Sequence, residues 1–312
     1  MPTSPDSADV WTVRRLLAWA ADYFSAGGID SPRLTAEILL AHNLSAPRIR
    51  LYTDPNLPLT RNERNRFKAL IRRRMNREPV AYITGAREFW GLEFKVTPDV
   101  LIPRPDTERL VEAVLAVLPE NDAQGRWRIM DLGTGSGAIA VALASKRPEH
   151  RFVAMDRSLG ALRVARDNAR RHGVEQIIGF FQGDWLAAAC ARRPLFHAIV
   201  SNPPYIRADE WAALEPEVCA FEPAGALRGG DDGLAAYRCI LADVRRCVLP
   251  GGYLFLEMGY RQRRDLEALA AATGAFEDIR CFSDYAGHDR VLRLKVASAP
   301  AEGGATALNI EC

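Results

Sequence analysis

The sequence predicts an α/β fold: an otherwise parallel sheet whose last two strands form an antiparallel hairpin, preceded by a small amino-terminal helical bundle. Three observations predict it. A strand-like run, Trp127 to Met130, enters the turn Asp131-Leu132-Gly133-Thr134-Gly135-Ser136-Gly137-Ala138 and leaves it in a helical pattern over 139–146. Strand-like and helix-like segments then alternate through the rest of the chain, the arrangement that builds parallel sheets. The stretch before residue 79, by contrast, carries apolar residues at helical spacing.

The 312 residues leave room for one large domain and a small one. Hydrophobic residues make up 48% and charged residues 26%, the balance of a globular protein. A formal net charge of +2 supplies no global field that demands nucleic acid or membrane, and neither is expected as a direct partner. The six cysteines show no CxxC pair, so neither a metal site nor a disulfide framework is expected. Residues 1–9 are polar and acidic, without the apolar core of a secretion signal, and no apolar stretch reaches the ~18–20 residues of a membrane span. A cytoplasmic location is therefore expected.

Val10, Val13, Leu16, Leu17, Ala20 and Phe24 share one face of a first helix, which Gly27-Gly28 ends. Ser31-Pro32 predicts a second helix with serine as N-cap and proline in first position, its apolar face including Leu34, Ile38, Leu39 and Ala41. Thr60-Arg61-Asn62-Glu63 has the form of a capping box opening a third. Phe67, Leu70, Ile71 and Met75 form the buried side of that helix. Its other faces carry the basic residues between Arg61 and Arg77, opposed by the lone acid Glu63. A solvated face is expected there; an acidic protein or RNA is the alternative, although no aromatic residue on that face suggests base stacking. Val80 to Val96 alternates around Gly85 and Gly91 and predicts short hairpin strands. The expected domains are thus a helical module at 1–78, a hairpin linker at 79–98, the α/β domain at 99–296 and a disordered Ala/Gly-rich tail at 297–312.

The α/β domain opens with a proline-fixed segment, Val100 to Glu108, in which Asp106 is placed to cap a helix lined by Leu110, Val111, Val114, Leu115 and Leu118. The glycines at 133, 135 and 137 let the chain turn tightly and let a ligand approach the main chain. The next strand closes on Asp156, about 20 residues on, where nucleotide-binding sheets place an acid that takes ribose hydroxyls. Asp131, directly before the turn, would repel a pyrophosphate. It suits a cationic amino-acid end instead, which points to S-adenosylmethionine rather than a dinucleotide. Helix 159–172 is closed by Gly173, and strand 177–182 runs into Gly183-Asp184-Trp185. That acid and indole suit the surroundings of an adenine; a capping Asp and a core Trp are the equally open alternative. The chain completes the sheet with helix 234–248, strand 253–257 after the turn Pro250-Gly251-Gly252, helix 262–272, and the hairpin 278–282 with 291–296. The histidines are scattered and none is expected to be catalytic.

Strand 197–200 delivers Ser201-Asn202-Pro203-Pro204-Tyr205. Two prolines stop sheet pairing, and the residue before a proline is held extended. The result is a stiff strand end with one amide, one unpaired carbonyl at Pro203 and one aromatic ring. It suits a planar amide or amine with two N–H donors. A proline-stiffened turn would account for the same residues, but open α/β sheets bind ligands at this edge.

PRPDTE (Pro103 to Glu108), DLGTGSGAIA (Asp131 to Ala140), Asp156, Asp184-Trp185 and NPPY (Asn202 to Tyr205), in that order, resemble the protein-glutamine N5-methyltransferases, and in particular the bacterial release-factor enzymes. SPRLTAEILLAH (Ser31 to His42) and REFWGLEFKV (Arg87 to Val96) extend the resemblance to nearly the whole chain. NPPY alone is shared with methyltransferases of adenine and guanine amino groups; the helical module and PRPDTE narrow the choice. The resemblance implies a Rossmann-like, seven-stranded class I methyltransferase domain behind a helical substrate-recognition domain. It implies S-adenosylmethionine as cofactor, and class I peptide chain release factors as substrates, methylated on the glutamine of their GGQ motif; a one-to-one complex with such a substrate requires only a monomer, which is the expected state. Gly133, Thr134, Gly135, Ser136 and Gly137 then carry the cofactor turn, Asp156 takes the ribose, Asp184 and Trp185 surround the adenine, and Asn202, Pro203, Pro204 and Tyr205 hold the glutamine, with Asn202 also bordering the cofactor. Ribosomal protein L3 or a nucleic-acid amino group is the alternative substrate, and a non-catalytic binding protein the rival class; the intact glycine turn and acids speak against the last.

Overall fold

The computed structural model describes residues 10–121, 125–188 and 194–298. Two compact units emerge: the chain up to Gly85 together with Pro216–Phe221, and the remainder. The expected boundaries, with the helical module ending at 78 and 99–296 one unbroken domain, did not anticipate that excursion. The expected tail lies, from residue 299 on, outside the described residues, as do Cys190 and Cys312.

The helical unit contains α1 (Val13–Ala26), α2 (Pro32–Asn43), α3 (Arg50–Thr53), α4 (Arg61–Met75) and α5 (Val80–Thr84). Thr12 caps α1, its hydroxyl accepting from the Arg15 N–H, so Val10 falls before the helix and is exposed. Ser31 sits at the N-cap of α2, but with φ +47° and no side-chain cap. The buried residues of α2 are Thr35, Ala36, Glu37, Leu39, Leu40, Ala41 and Asn43, so of the expected face Leu39 and Ala41 are buried, while Leu34 is exposed and Ile38 half-buried. Polar residues on the inner face hid its phase: Glu37 is buried between Arg33 and Arg48, and the Asn43 amide donates to the Glu63 carbonyl. The capping box of α4 forms, with Glu63 N–H donating to Thr60 Oγ1 and Thr60 N–H to Glu63 Oε2. Phe67 and Ile71 are buried, Leu70 and Met75 half-buried. The arginine face is not all solvated. Arg74 is buried and ion-paired at 2.8 Å with Glu217 of Pro216–Phe221. Residues 80–84, expected as strand, are helical, because five residues are too few for periodicity to separate the two.

The second unit begins with the hairpin β1 (Ala86–Phe89) and β2 (Leu92–Lys95), joined by Trp90 and Gly91, both at positive φ, as a two-residue hairpin turn requires. After a turn of 3₁₀ helix, Pro105–Thr107, come α6 (Glu108–Leu115), β3 (Arg128–Leu132), α7 (Ala138–Lys146), β4 (Arg151–Asp156), α8 (Leu159–Arg171), β5 (Ile178–Gln182) and β6 (Phe196–Ser201). Then follow α9 (Pro216–Phe221), which belongs to the helical unit, and α10 (Ala235–Cys247), β7 (Val248–Glu257), α11 (Arg263–Ala272), β8 (Phe276–Ser283) and β9 (Asp289–Val296). The seven strands lie in the order β5-β4-β3-β6-β7-β9-β8, parallel except for β9, which runs antiparallel to both neighbours. Successive strand residues enter opposite cores: Ile129 joins Leu110, Val114 and Val141, while Met130 joins Tyr237, Ile240 and Leu254. Strand β7 starts at Val248, upstream of the expected turn, because Pro250-Gly251-Gly252 passes alongside β6. A Cβ on Gly252 would lie 2.8 Å from the His197 carbonyl oxygen. Asp106 does not cap α6; it pairs with Arg290 at 3.1 Å.

Among the described residues no helix is long and apolar enough to cross a membrane, and no His/Cys/Asp/Glu group could hold a metal ion.

Candidate active site

Strand order reverses between β3 and β6, and the crevice at their carboxyl ends is where an open sheet binds ligands. The turn after β3 puts Gly133, Gly135 and Gly137 at φ +75°, +55° and +81°, a region that penalises any side chain. Gly133 and Thr134 N–H both donate to the Met155 carbonyl, tying the turn to β4. Asp156, at the end of β4, accepts the Gly135 N–H on Oδ2 and the Ser158 N–H on Oδ1, each at 2.9 Å. One carboxylate thus fixes the glycine turn and the start of α8 while keeping lone pairs for a ligand.

A cavity of about 720 Å³ opens here, and its wall includes Gly133, Gly135, Asp156, Asp184, Trp185, Asn202, Pro203 and Pro204. The remaining expected residues stand behind the wall. Thr134 donates its hydroxyl to Asp131 Oδ2 at 2.6 Å, and Ala140 N–H donates to the same oxygen. Ser136 gives its carbonyl to the Asn168 amide, and Gly137 permits close packing, since a Cβ there would lie 3.1 Å from Ala165 Cα. Asp131 is buried; desolvation pushes its carboxyl up to about 7, Thr134 and Ala140 pull it down, and the Asp156 charge adds to the rise. Its Oδ1 is a buried acceptor without a partner. Tyr205 packs half-buried beside the Tyr237–Leu254 core, and burial raises its phenol.

The Asn-Pro-Pro-Tyr corner is held by residues that are single letters in the sequence. Ser201 donates to the Leu132 carbonyl at 2.7 Å, locking β6 to β3. Gln262 donates to the carbonyls of Tyr205 and Gly233 and accepts from Gly259 N–H. Gly229 lies so close beneath the corner that a Cβ would meet the Tyr205 backbone at 2.8 Å. Asn202 Nδ2 donates to Thr107 Oγ1 at 3.1 Å, joining the corner to PRPDTE. Glu222 is buried and accepts from Ile102 N–H and Arg104, while its neighbours Pro223 and Ala224 line the cavity. Asn168 is another structural staple that sequence reading missed: it exchanges hydrogen bonds with both backbone groups of Lys95 and so fastens β2 to α8. Buried His150 is bonded to backbone at Trp127 and Pro119, and His197 accepts from Arg128 N–H. In the helical unit a separate cavity of about 410 Å³ sets Trp11 and Trp19 beside Arg61, Arg64 and Lys68, so tryptophans from outside the basic helix stand next to its charged side.

The model of the PrmC N-terminal domain family matches residues 15–85, and that of the methyltransferase small domain matches residues 109–216. A release factor glutamine methyltransferase of Geobacter sulfurreducens is 40% identical over 287 residues, covering 92% of this chain and 98% of that one. The chain belongs to the release factor glutamine methyltransferase family. The family's enzyme from Burkholderia pseudomallei is 46% identical over 277 residues, 88% of this chain and 94% of its own length. Among solved structures, the hMettl16 catalytic domain in complex with an RNA hairpin aligns with a TM-score of 0.54 over 70% of this chain and 80% of that one. At 15% identity that likeness speaks for the fold alone. The family resemblance read from PRPDTE, the glycine turn and NPPY therefore holds, as does the seven-stranded α/β architecture it implied.

Proposed function

We propose that this protein methylates the side-chain amide nitrogen of the glutamine in the GGQ motif of class I peptide chain release factors, using S-adenosylmethionine bound in the cavity at the sheet's carboxyl edge. One observation carries the reading. Asn202 spends an N–H inward on Thr107, and among the described residues none donates to its Oδ1 or to the Pro203 carbonyl, on a wall shared with Gly133, Gly135 and Asp156.

The donor set suits the cofactor. Gly133 and Gly135 leave the main chain bare of side chains, Asp156 retains lone pairs for ribose hydroxyls, Trp185 offers an indole for adenine, and the orphaned Asp131 Oδ1 favours a cation nearby. When bound, S-adenosylmethionine supplies a methyl group on a positively charged sulfur. The substrate amide is a weak nucleophile, since its nitrogen lone pair is delocalised into the carbonyl. Asn202 Oδ1 and the Pro203 carbonyl each accept one of its N–H groups, fixing the nitrogen in line with the methyl and raising its electron density. Pro203 and Pro204 cannot move to follow a misplaced substrate, because their φ is locked. Tyr205, behind the wall, backs the corner from the core side instead of reaching the amide plane. With the nitrogen so held by Asn202 and Pro203, transfer would form the nitrogen–carbon bond as the carbon–sulfur bond breaks, leaving the electron pair on sulfur, and the nitrogen would then give up a proton to solvent.

The test is methyl transfer from labelled S-adenosylmethionine to purified release factor, with mass spectrometry of the GGQ peptide and with ribosomal protein L3 and RNA as parallel acceptors. Label on the GGQ glutamine is expected; label on RNA or L3 alone would sink the reading. Asn202→Ala is expected to lower kcat by about 100-fold or more, the scale of losing a donor–acceptor contact that positions the reacting group, with cofactor affinity nearly unchanged. Equal losses in both would mean that Asn202 serves the cofactor.

A further inference from the structure

We infer that Glu257 is a positioning residue for this reaction: with Thr107 it holds the Asn202 amide in the orientation that leaves Oδ1 for the substrate. The inference rests on the proposed role of Asn202 and explains how that role is enforced.

Glu257 is the last residue of β7, and Leu256 before it pairs with Ser201, so Glu257 and Asn202 leave neighbouring strands side by side. It is 1% exposed, and its Oε2 has no partner. The Thr107 hydroxyl and the Asn202 amide, themselves joined by a 3.1 Å hydrogen bond, are its polar neighbours, and both favour its ionised form. No cation is committed to it. Arg290 of β9 is the nearby positive charge, but it pairs with Asp106 at 3.1 Å and Asp284 at 3.2 Å. The other ionisable groups around it are Tyr205 after β6 and Tyr237 on α10; the Tyr237 hydroxyl donates to the Glu257 backbone carbonyl, not to the carboxyl.

The donor and acceptor inventory then decides which way the amide faces. An ionised carboxylate only accepts, so the single Thr107 proton goes to Glu257 and the Thr107 oxygen is left to accept from Asn202 Nδ2. Both inward neighbours of the amide are acceptors. The NH₂ group must point inward, and Oδ1 remains for the cavity. A protonated Glu257 removes the constraint, because its own proton can be accepted by Asn202 Oδ1. The amide can then turn and present NH₂ to a substrate that also offers NH₂, donor against donor. Burial pushes the carboxyl up to about 7, with Thr107, Arg290 and Asn202 pulling it down and Asp106 pushing it up. The ionised form is the working one, so activity rises with pH to a plateau above about 7.

The test measures kcat/KM for release factor from about pH 5.5 to 8.5 in the wild type, Glu257→Gln, Thr107→Ser, Thr107→Val and Asn202→Ala, alongside cofactor affinity by calorimetry and thermal melting. A glutamine can donate to Asn202 Oδ1, so Glu257→Gln is expected to lose about tenfold in kcat/KM at pH 8, the worth of one hydrogen bond, and to lose the acid limb. Its cofactor affinity stays within about twofold. Thr107→Ser keeps near-normal rates and Thr107→Val falls with Glu257→Gln. The inference is overturned if Glu257→Gln, folded as judged by its melt, works like the wild type with the same pH profile. Thr107→Ser as inactive as Thr107→Val would overturn it too. If Asn202→Ala keeps full activity, the underlying reading of the corner fails; if that variant is dead while Glu257→Gln is normal, only the positioning role fails.

Discussion

Asp131 and Glu257 are almost wholly removed from water, and burial raises both carboxyls to about 7. In the unfolded chain such groups titrate near about 4. Between those values the folded state binds protons that the unfolded state has lost, so each group's burial destabilises the fold increasingly as pH rises from about 4 to about 7. Asp131→Asn, which cannot ionise, should therefore melt higher than the wild type at about pH 8, with the difference shrinking steadily towards pH 5. A pH-independent difference in thermal melts would contradict this. Asn202 was legible because the prolines that fix it are its neighbours in the chain. Thr107 and Glu257 were not, because each is one polar residue among many until β6, β7 and the start of α6 bring them together.

At the level of elements, the glycine turn shows why one motif serves several purposes. Gly133 and Gly135 face the cavity, whereas Gly137 is required by the approach of α7 to α8, its absent Cβ lying 3.1 Å from Ala165. Gly137→Ala should cost roughly 1–3 kcal/mol, from positive φ and from that contact, read as a lowered urea midpoint at unchanged slope; a midpoint equal to the wild type would refute the packing role. The succession of strands and helices along the chain could be read from alternation and turn residues. The phase of α2 could not, because Glu37 and Asn43 find partners inside, and 80–84 could not, because so short a run fits either period.

Across the whole molecule the chain does not divide at a single point. It leaves the α/β unit after Glu215, gives α9 to the helical unit, and returns at Glu222, which secures the Ile102 backbone. Arg74 and Glu217, with side chains 8% and 12% exposed, form an ion pair at 2.8 Å within the helical unit, and Arg77 approaches the same carboxylate at 3.6 Å. Removing one partner of a buried pair strands the other, so Glu217→Ala should destabilise by roughly 3–5 kcal/mol and expose α9 to limited proteolysis. An apolar double replacement at Arg74 and Glu217 should recover most of the loss. Unchanged proteolysis in Glu217→Ala would show that α9 is held by other contacts.

The sequence by itself determined the class of fold and the family, and it placed Asn202 to Tyr205 at the carboxyl end of a strand, because glycine, proline and strand periodicity act on the backbone within a few residues of where they occur. Which members of the glycine turn face the cavity was decided by the packing of α7, α8 and β4. Which lone acids and amides staple distant segments was decided the same way, for Glu222, Asn168, Glu257 and Glu217 alike. A hydrogen bond between residues far apart leaves no period in the sequence, and its partners are fixed only when the sheet order and helix phases are.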